Sequence, residues 1–133
     1  MRIVPPKDSK LEDLAMFHDF QEGWYAVTNT SRGVGIGMLF DKDIFNYVWN
    51  WQVFGGGSGY PWYGRHYNLG LELCTSLPDG SGFPNSSGKK TSIKIKSGDS
   101  VKANIKAITY HSNKGVEKIN SDGSVIEIRK EEK

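Results

Sequence analysis

Residues 59–76 read GYPWYGRHYNLGLELCTS, and the centre of the stretch, Tyr67-Asn68-Leu69-Gly70-Leu71-Glu72-Leu73, alternates strictly. Successive side chains of a strand point to opposite faces. Tyr67, Leu69, Leu71 and Leu73 therefore share one face, and His66, Asn68, Gly70, Glu72 and Cys74 share the other. The first is a core face. The second would ordinarily be wet and inert, as most polar faces of antiparallel strands are. Its composition argues otherwise: a solvent face is usually built of Lys, Glu, Thr or Ser, whereas this one joins His, Asn, Gly, Glu and Cys beside Trp62 and Tyr63.

Working outward, the same alternation recurs. FNYVWNWQVF (45–54) sets Tyr47, Trp49, Trp51 and Val53 against Val48, Asn50, Gln52 and Phe54, and the glycine loop 55–59 follows it. GWYAVTNT (23–30) is aromatic and β-branched and ends in a polar turn. In GVGIGMLF (33–40) Gly33, Gly35 and Gly37 form a bare face for close approach by another backbone or a ligand, with Val34, Ile36, Met38 and Phe40 expected in the core. Pro78-Asp79-Gly80 reads as a turn opening a Gly/Ser/Pro-rich segment over 78–90. TSIKIKS (91–97), VKANIKAITYH (101–111), GVEKI (115–119) and SVIEIRK (124–130) read as further strands, with tight turns at Lys96–Asp99 and Asn120–Gly123. Before the sheet, residues 1–8 read as an extended arm. Ser9 and Glu12 could then form a capping box opening a short helix over 9–20, with Leu11, Leu14 and Phe17 at helical spacing. Seven or so strands with no crossover helices predict an all-β, antiparallel β-sandwich, with residues 1–22 as an arm and 23–133 as a single domain.

Composition narrows the functions. A chain of 133 residues with 17 Lys+Arg against 15 Asp+Glu has a formal charge of +2, too small a bias to make nucleic acid or an acidic membrane the expected partner. One cysteine gives no disulfide framework and no structural zinc site of ordinary spacing, so no metal and no cofactor are expected. No phosphate loop of the G-x-x-x-x-G-K-[ST] type and no H-E-x-x-H zinc helix occurs, and the glycines of GVGIG do not open a helix. Prolines and charges near Met1 and the lack of a long apolar run lead to the expectation of a soluble, cytoplasmic protein.

Aromatic rings beside amide, guanidinium and carboxylate groups are the inventory of a sugar site: apolar sugar faces stack on rings, and hydroxyls need fixed donors and acceptors. Trp49, Trp51, Gln52, Trp62, Tyr63, Arg65 and His66 supply them, although at least two of the four tryptophans are expected in a core. WNWQVFGGGSGYPWYGRHYNLGLELCTSLPDG (49–80) resembles the C-terminal part of the aldose 1-epimerase, or galactose mutarotase-like, superfamily. There a strand ending in Leu-Glu, with a Pro-containing turn soon after, carries the catalytic carboxylate. SGDSVKANIKAITYH (97–111) resembles that family's closing segment. The resemblance implies an antiparallel supersandwich, here truncated, and a monosaccharide or phosphosugar as ligand. Glu72 would then be the general base that interconverts hexose anomers. Gln52, Trp62, Arg65, His66 and Asn68 are the candidate sugar contacts, and parity suggests that Arg65 or His66 holds Glu72 ionised. Full members are more than twice as long, and their histidine acid comes from strands upstream of any present here. A sugar-binding module without catalysis and an inactive truncated epimerase are therefore the alternatives. An uncovered sheet face would call for a second copy of the chain to cover it.

Overall fold

The computed structural model describes residues 3–78 and 91–129; among them are eight strands and a 3-10 turn at Lys7–Ser9. Every strand-to-strand ladder is antiparallel, so the all-β, antiparallel expectation holds. From residue 79 onward, the expected turn at Pro78–Gly80 and the segment through 90 lie outside the described residues. None of the described helical segments is long and apolar enough to cross a membrane. Contacts gather the chain into two units, Met1–Phe20 with Phe45–Lys94 and Gln21–Ile44 with Ile95–Lys133.

The first unit is a sheet in which β4 (Tyr47–Phe54) lies between β1 (Leu11–Phe17) and β5 (Tyr67–Cys74). Paired on both sides, β4 carries the most deeply buried residues of the unit: Val48, Val53 and Phe54 are 1%, 0% and 1% exposed. Its β-branched and aromatic side chains suit a central strand. Asn50 is buried with them, and its Oδ1 finds no hydrogen-bond partner among the described residues.

β1 corrects the helix expected over 9–20. Leu11–Phe17 is extended and pairs residue for residue with Phe54–Val48. Ser9 caps nothing; its Oγ donates to the Phe54 carbonyl at 3.4 Å, and Lys10 takes a left-handed φ of 52° before the strand begins. The Leu11, Leu14 and Phe17 spacing was a weak local signal. A full ladder against a buried strand supplies backbone partners and half-buries Leu14 to Phe17, which outweighs helix propensity differences of about 0.7 kcal/mol per residue or less.

The second unit has β3 (Val34–Phe40) between β2 (Trp24–Asn29) and β6 (Ile105–His111), with a hairpin of β7 (Val116–Ile119) and β8 (Val125–Glu127). The bare face of β3 is indeed closely approached, by side chains from the unit itself. Thr28, Gly35 and Tyr110 form one cross-strand row, and the Tyr110 ring crosses Gly35 so that its hydroxyl lies 2.8 Å from Thr28 Oγ1 and 3.2 Å from the Val27 carbonyl. A Cβ at Gly35 would fall 2.2 Å from that ring, and one at Gly37 would fall 2.5 Å from Ile119 Cδ1 of the hairpin. The opposite face was expected in the core, and only Phe40 is buried there; Val34 and Ile36 are 43% and 49% exposed.

The Ile/Lys alternation of 91–97 also misleads. Among the described residues from 91 to 104 no strand forms, because alternation gives a half-buried face only when a neighbouring strand pairs with it. Both tight turns are present: Asp99 N donates to the Lys96 carbonyl at 3.0 Å, and Gly123 N to the Asn120 carbonyl at 2.9 Å.

Candidate functional site

Register turns two separate parity patterns into one surface. Across β4 and β5, Trp49 opposes Glu72, Trp51 opposes Gly70 and Val53 opposes Asn68; on β1 the same rows continue with Met16, Leu14 and Glu12. Directly opposed residues of an antiparallel pair share a face, so Glu72, Gly70 and Asn68 stand beside two tryptophans. The leucines of β5 lie on the other face with Val48, Asn50 and Phe54.

The loop from Gly55 to His66 builds a wall at one end of this surface. Gly55 N donates to the His66 carbonyl, Gly64 N to Gly57, Tyr63 N to Gly59 and Arg65 N to Trp62, which fixes the loop from within. Trp62 thereby packs on Trp51 with ring centroids 5.0 Å apart, and His66 meets Trp62 edge-on, also at 5.0 Å. Glu12 shares that corner: a Cβ built on Gly57 would lie 3.1 Å from the Trp62 Cβ and 3.2 Å from Glu12 Oε2.

At the middle of the surface, Gly70 leaves a bare place. A Cβ there would lie 3.4 Å from Glu72 Oε1 and 3.5 Å from Trp51 Cε3, so the carboxylate leans over Gly70 toward the indole. The result is an aromatic wall, a small uncovered floor and an acceptor group at its edge. Beyond Glu72, Cys74 opposes Tyr47, and the Cys74 thiol is pushed up, first by burial and then by the negative charge of Glu72.

Of the sequence candidates, Glu72, Asn68, Trp62 and His66 are brought to this surface. Gln52 is not: it opposes Leu69 and Asp13 and belongs to the leucine face. Arg65 is exposed in the loop. Among the described residues neither it nor His66 forms an ion pair with Glu72, so the expected pairing is not made. Two residues the sequence reading passed over join the surface. The capping-box expectation placed Glu12 at a helix start, and His18 falls within the helix expected over 9–20. His18 is one residue beyond β1, its ring lies 6.3 Å from that of Tyr47, and its Nδ1 lies 2.6 Å from Asp19 Oδ2. The parity of Glu12, Leu14, Met16 and His18 would have placed both, had 11–17 been read as a strand.

A cleft of about 760 Å³ lies in the second unit, floored by Phe40 and Ile119 and rimmed by Glu22, Asp41, Lys106 and Lys118. Its charges are already engaged with the protein. Lys118 bonds Glu22 at 2.5 Å, and Lys106 donates to the carbonyls of Ser121 and Asp122. The Lys118 ammonium, with the Trp24 indole N–H, holds the Glu22 carboxyl below its usual range. Among the described residues no three His, Cys, Asp or Glu side chains converge as metal ligands.

No family model, no curated protein and no solved structure matches the chain.

Proposed function

We propose that the face carrying Glu72 binds a sugar and that Glu72 is the base that interconverts its anomers. The observation that carries this reading is the shared row structure: Glu72, Gly70 and Asn68 stand opposite Trp49, Trp51 and Val53, with the Trp62 ring packed at a 56° tilt against Trp51. The likeness of residues 49–80 to the closing part of aldose 1-epimerases points to the same carboxylate. In this chemistry Glu72 takes the proton of the anomeric hydroxyl, which requires a carboxylate on a rigid element beside the bound ring. Trp51 and Trp62 supply the stacking surface, and Asn68 and Glu12 supply groups for the hydroxyls.

A binding module without turnover is the second reading. It is favoured by the placement of His66 against Trp62, which leaves Glu72 without an acid on its own strand. Calorimetric titration with a panel of free and phosphorylated hexoses, together with exchange NMR of their anomers, separates the two. An anomerase is expected to bind one of them and to lose about a hundredfold to ten-thousandfold in exchange rate on Glu72→Gln. Binding with no exchange supports the module, and no binding to any sugar removes both.

A further inference from the structure

We propose that the free edge of β6, continued by residues 101–104, is a docking site for an extended acidic segment of another protein, which adds to the sheet as one more strand. This edge belongs to the second unit, and its use does not depend on the sugar face of the first.

The backbone supplies the site. Among the described residues β6 pairs with β3 alone, and no backbone hydrogen bond reaches its other edge. The β3 ladder ends where Phe40 meets Ile105, so 101–104 run on past it outside any strand pair. Residues 101–107 are exposed throughout. A row of unpaired N–H and C=O groups on a strand edge is a template for a further strand. The chain just ahead of it does not fill the place. Asp99 N closes a turn onto the Lys96 carbonyl, with Gly98 at a left-handed φ of 88°. A hairpin continued through that turn would set Lys94 opposite Val101 and Ile93 opposite Lys102, which mixes charge into both faces, and no strand forms over 91–104.

The side chains select the partner. On one side of the edge Val101 and Ile105 are 47% and 52% exposed. On the same face Val34 and Ile36 border a groove of about 600 Å³ with Thr109 and His111. The other side, by the same alternation, carries Lys102 and Lys106. Residues 95–106 hold three lysines and one aspartate, and among the described residues none of the three lysines forms an ion pair. An incoming strand that alternates acidic with apolar residues meets both sides. A second copy would bring two lysine rows together, and like charges across a strand pair oppose pairing. Tyr110, the ring of this strand that would stack a base, is laid over Gly35 and bonded to Thr28, so the basic edge lacks the stacking platform of a nucleic-acid groove.

The test is a 15N NMR titration of the whole chain with a capped peptide alternating Val and Glu, long enough to span 101–111, beside the same peptide with Lys for Glu and an oligothymidylate. The acidic peptide is expected to bind saturably, to shift the amides of 101–111 together with those of Val34 and Ile36, and to weaken as salt rises. Lys102→Glu combined with Lys106→Glu is expected to weaken it by about tenfold and to admit the basic peptide instead. Ala103→Pro lies beyond the end of the β3 ladder and removes one N–H from the edge; it is expected to weaken the acidic peptide while the thermal melt stays unchanged. No binding of the acidic peptide overturns the proposal, and so does equal binding of both peptides or binding that the charge exchange does not reverse. Shifts at these amides that grow with protein concentration and ignore the peptide assign the edge to a second copy, and shifts caused by oligothymidylate alone assign it to nucleic acid; either result also overturns the proposal.

Discussion

Glu72 and Cys74 are two positions apart on one face, and their electrostatic coupling offers a direct test of that placement. The carboxylate disfavours the thiolate, so removing its charge lowers the pKa of the thiol and raises the thiolate fraction at mildly alkaline pH. Glu72→Gln is therefore expected to speed alkylation of Cys74 by iodoacetamide at pH 8, and an unchanged rate would mean that the two groups do not face each other. Gly70 gives a second test. Its floor position lies within 3.5 Å of both Trp51 and Glu72, so a leucine there fills the space assigned to the ligand. Gly70→Leu is expected to abolish sugar binding in calorimetry while the thermal melt shows the protein still folded. The alternation of 67–74 made the face of Glu72 legible from sequence. The exclusion of Gln52 was not legible, because parity sorts one strand at a time and only the register between β4 and β5 says which faces coincide.

At the scale of elements, the strongest sequence signals came from strands whose alternation agrees with a real neighbour. β2, β3, β4 and β5 all fall where the sequence put them. β1 was hidden because Leu11, Leu14 and Phe17 also satisfy helical spacing, and the segment after Thr91 was misread because its Ile/Lys alternation meets no partner. The assignment of β1 is checked by cross-strand Hα–Hα contacts in NMR between alternate pairs of Leu11–Phe17 and Phe54–Val48, which a helix would replace with i to i+3 contacts. In the second unit the row of Thr28, Gly35 and Tyr110 is the element to probe. A Cβ at Gly35 collides with the Tyr110 ring, so Gly35→Ala is expected to destabilise by about 1–3 kcal/mol in denaturant melts. Adding Tyr110→Phe should not relieve it, since the ring remains, whereas Tyr110→Ala should recover part of the loss. Additive effects would show that the ring does not lie over Gly35.

At the scale of the whole molecule, each unit is assembled from two separated stretches of chain, and the chain passes from one unit to the other near residues 20, 44 and 94. The first unit takes β1 from ahead of the second unit's β2 and β3, so residues 45–94 by themselves lack the strand that pairs with one side of β4. The fragment 45–94 is expected to give a poorly dispersed NMR spectrum, and adding β1 through a short linker is expected to restore dispersion. Neither arrangement could be read from composition, which describes the chain as a whole and is silent on which distant segments pair.

The four tryptophans test the site itself. Trp49, Trp51 and Trp62 belong to the first unit and Trp24 to the second, so the indole N–H signals of one 15N-labelled sample report on both. Titration with hexoses and hexose phosphates is expected to shift Trp51 and Trp62 in a saturable way and to leave Trp24 in place. Shifts confined to Trp24, or no shift with any sugar, would contradict the assignment of the Glu72 face as a sugar site.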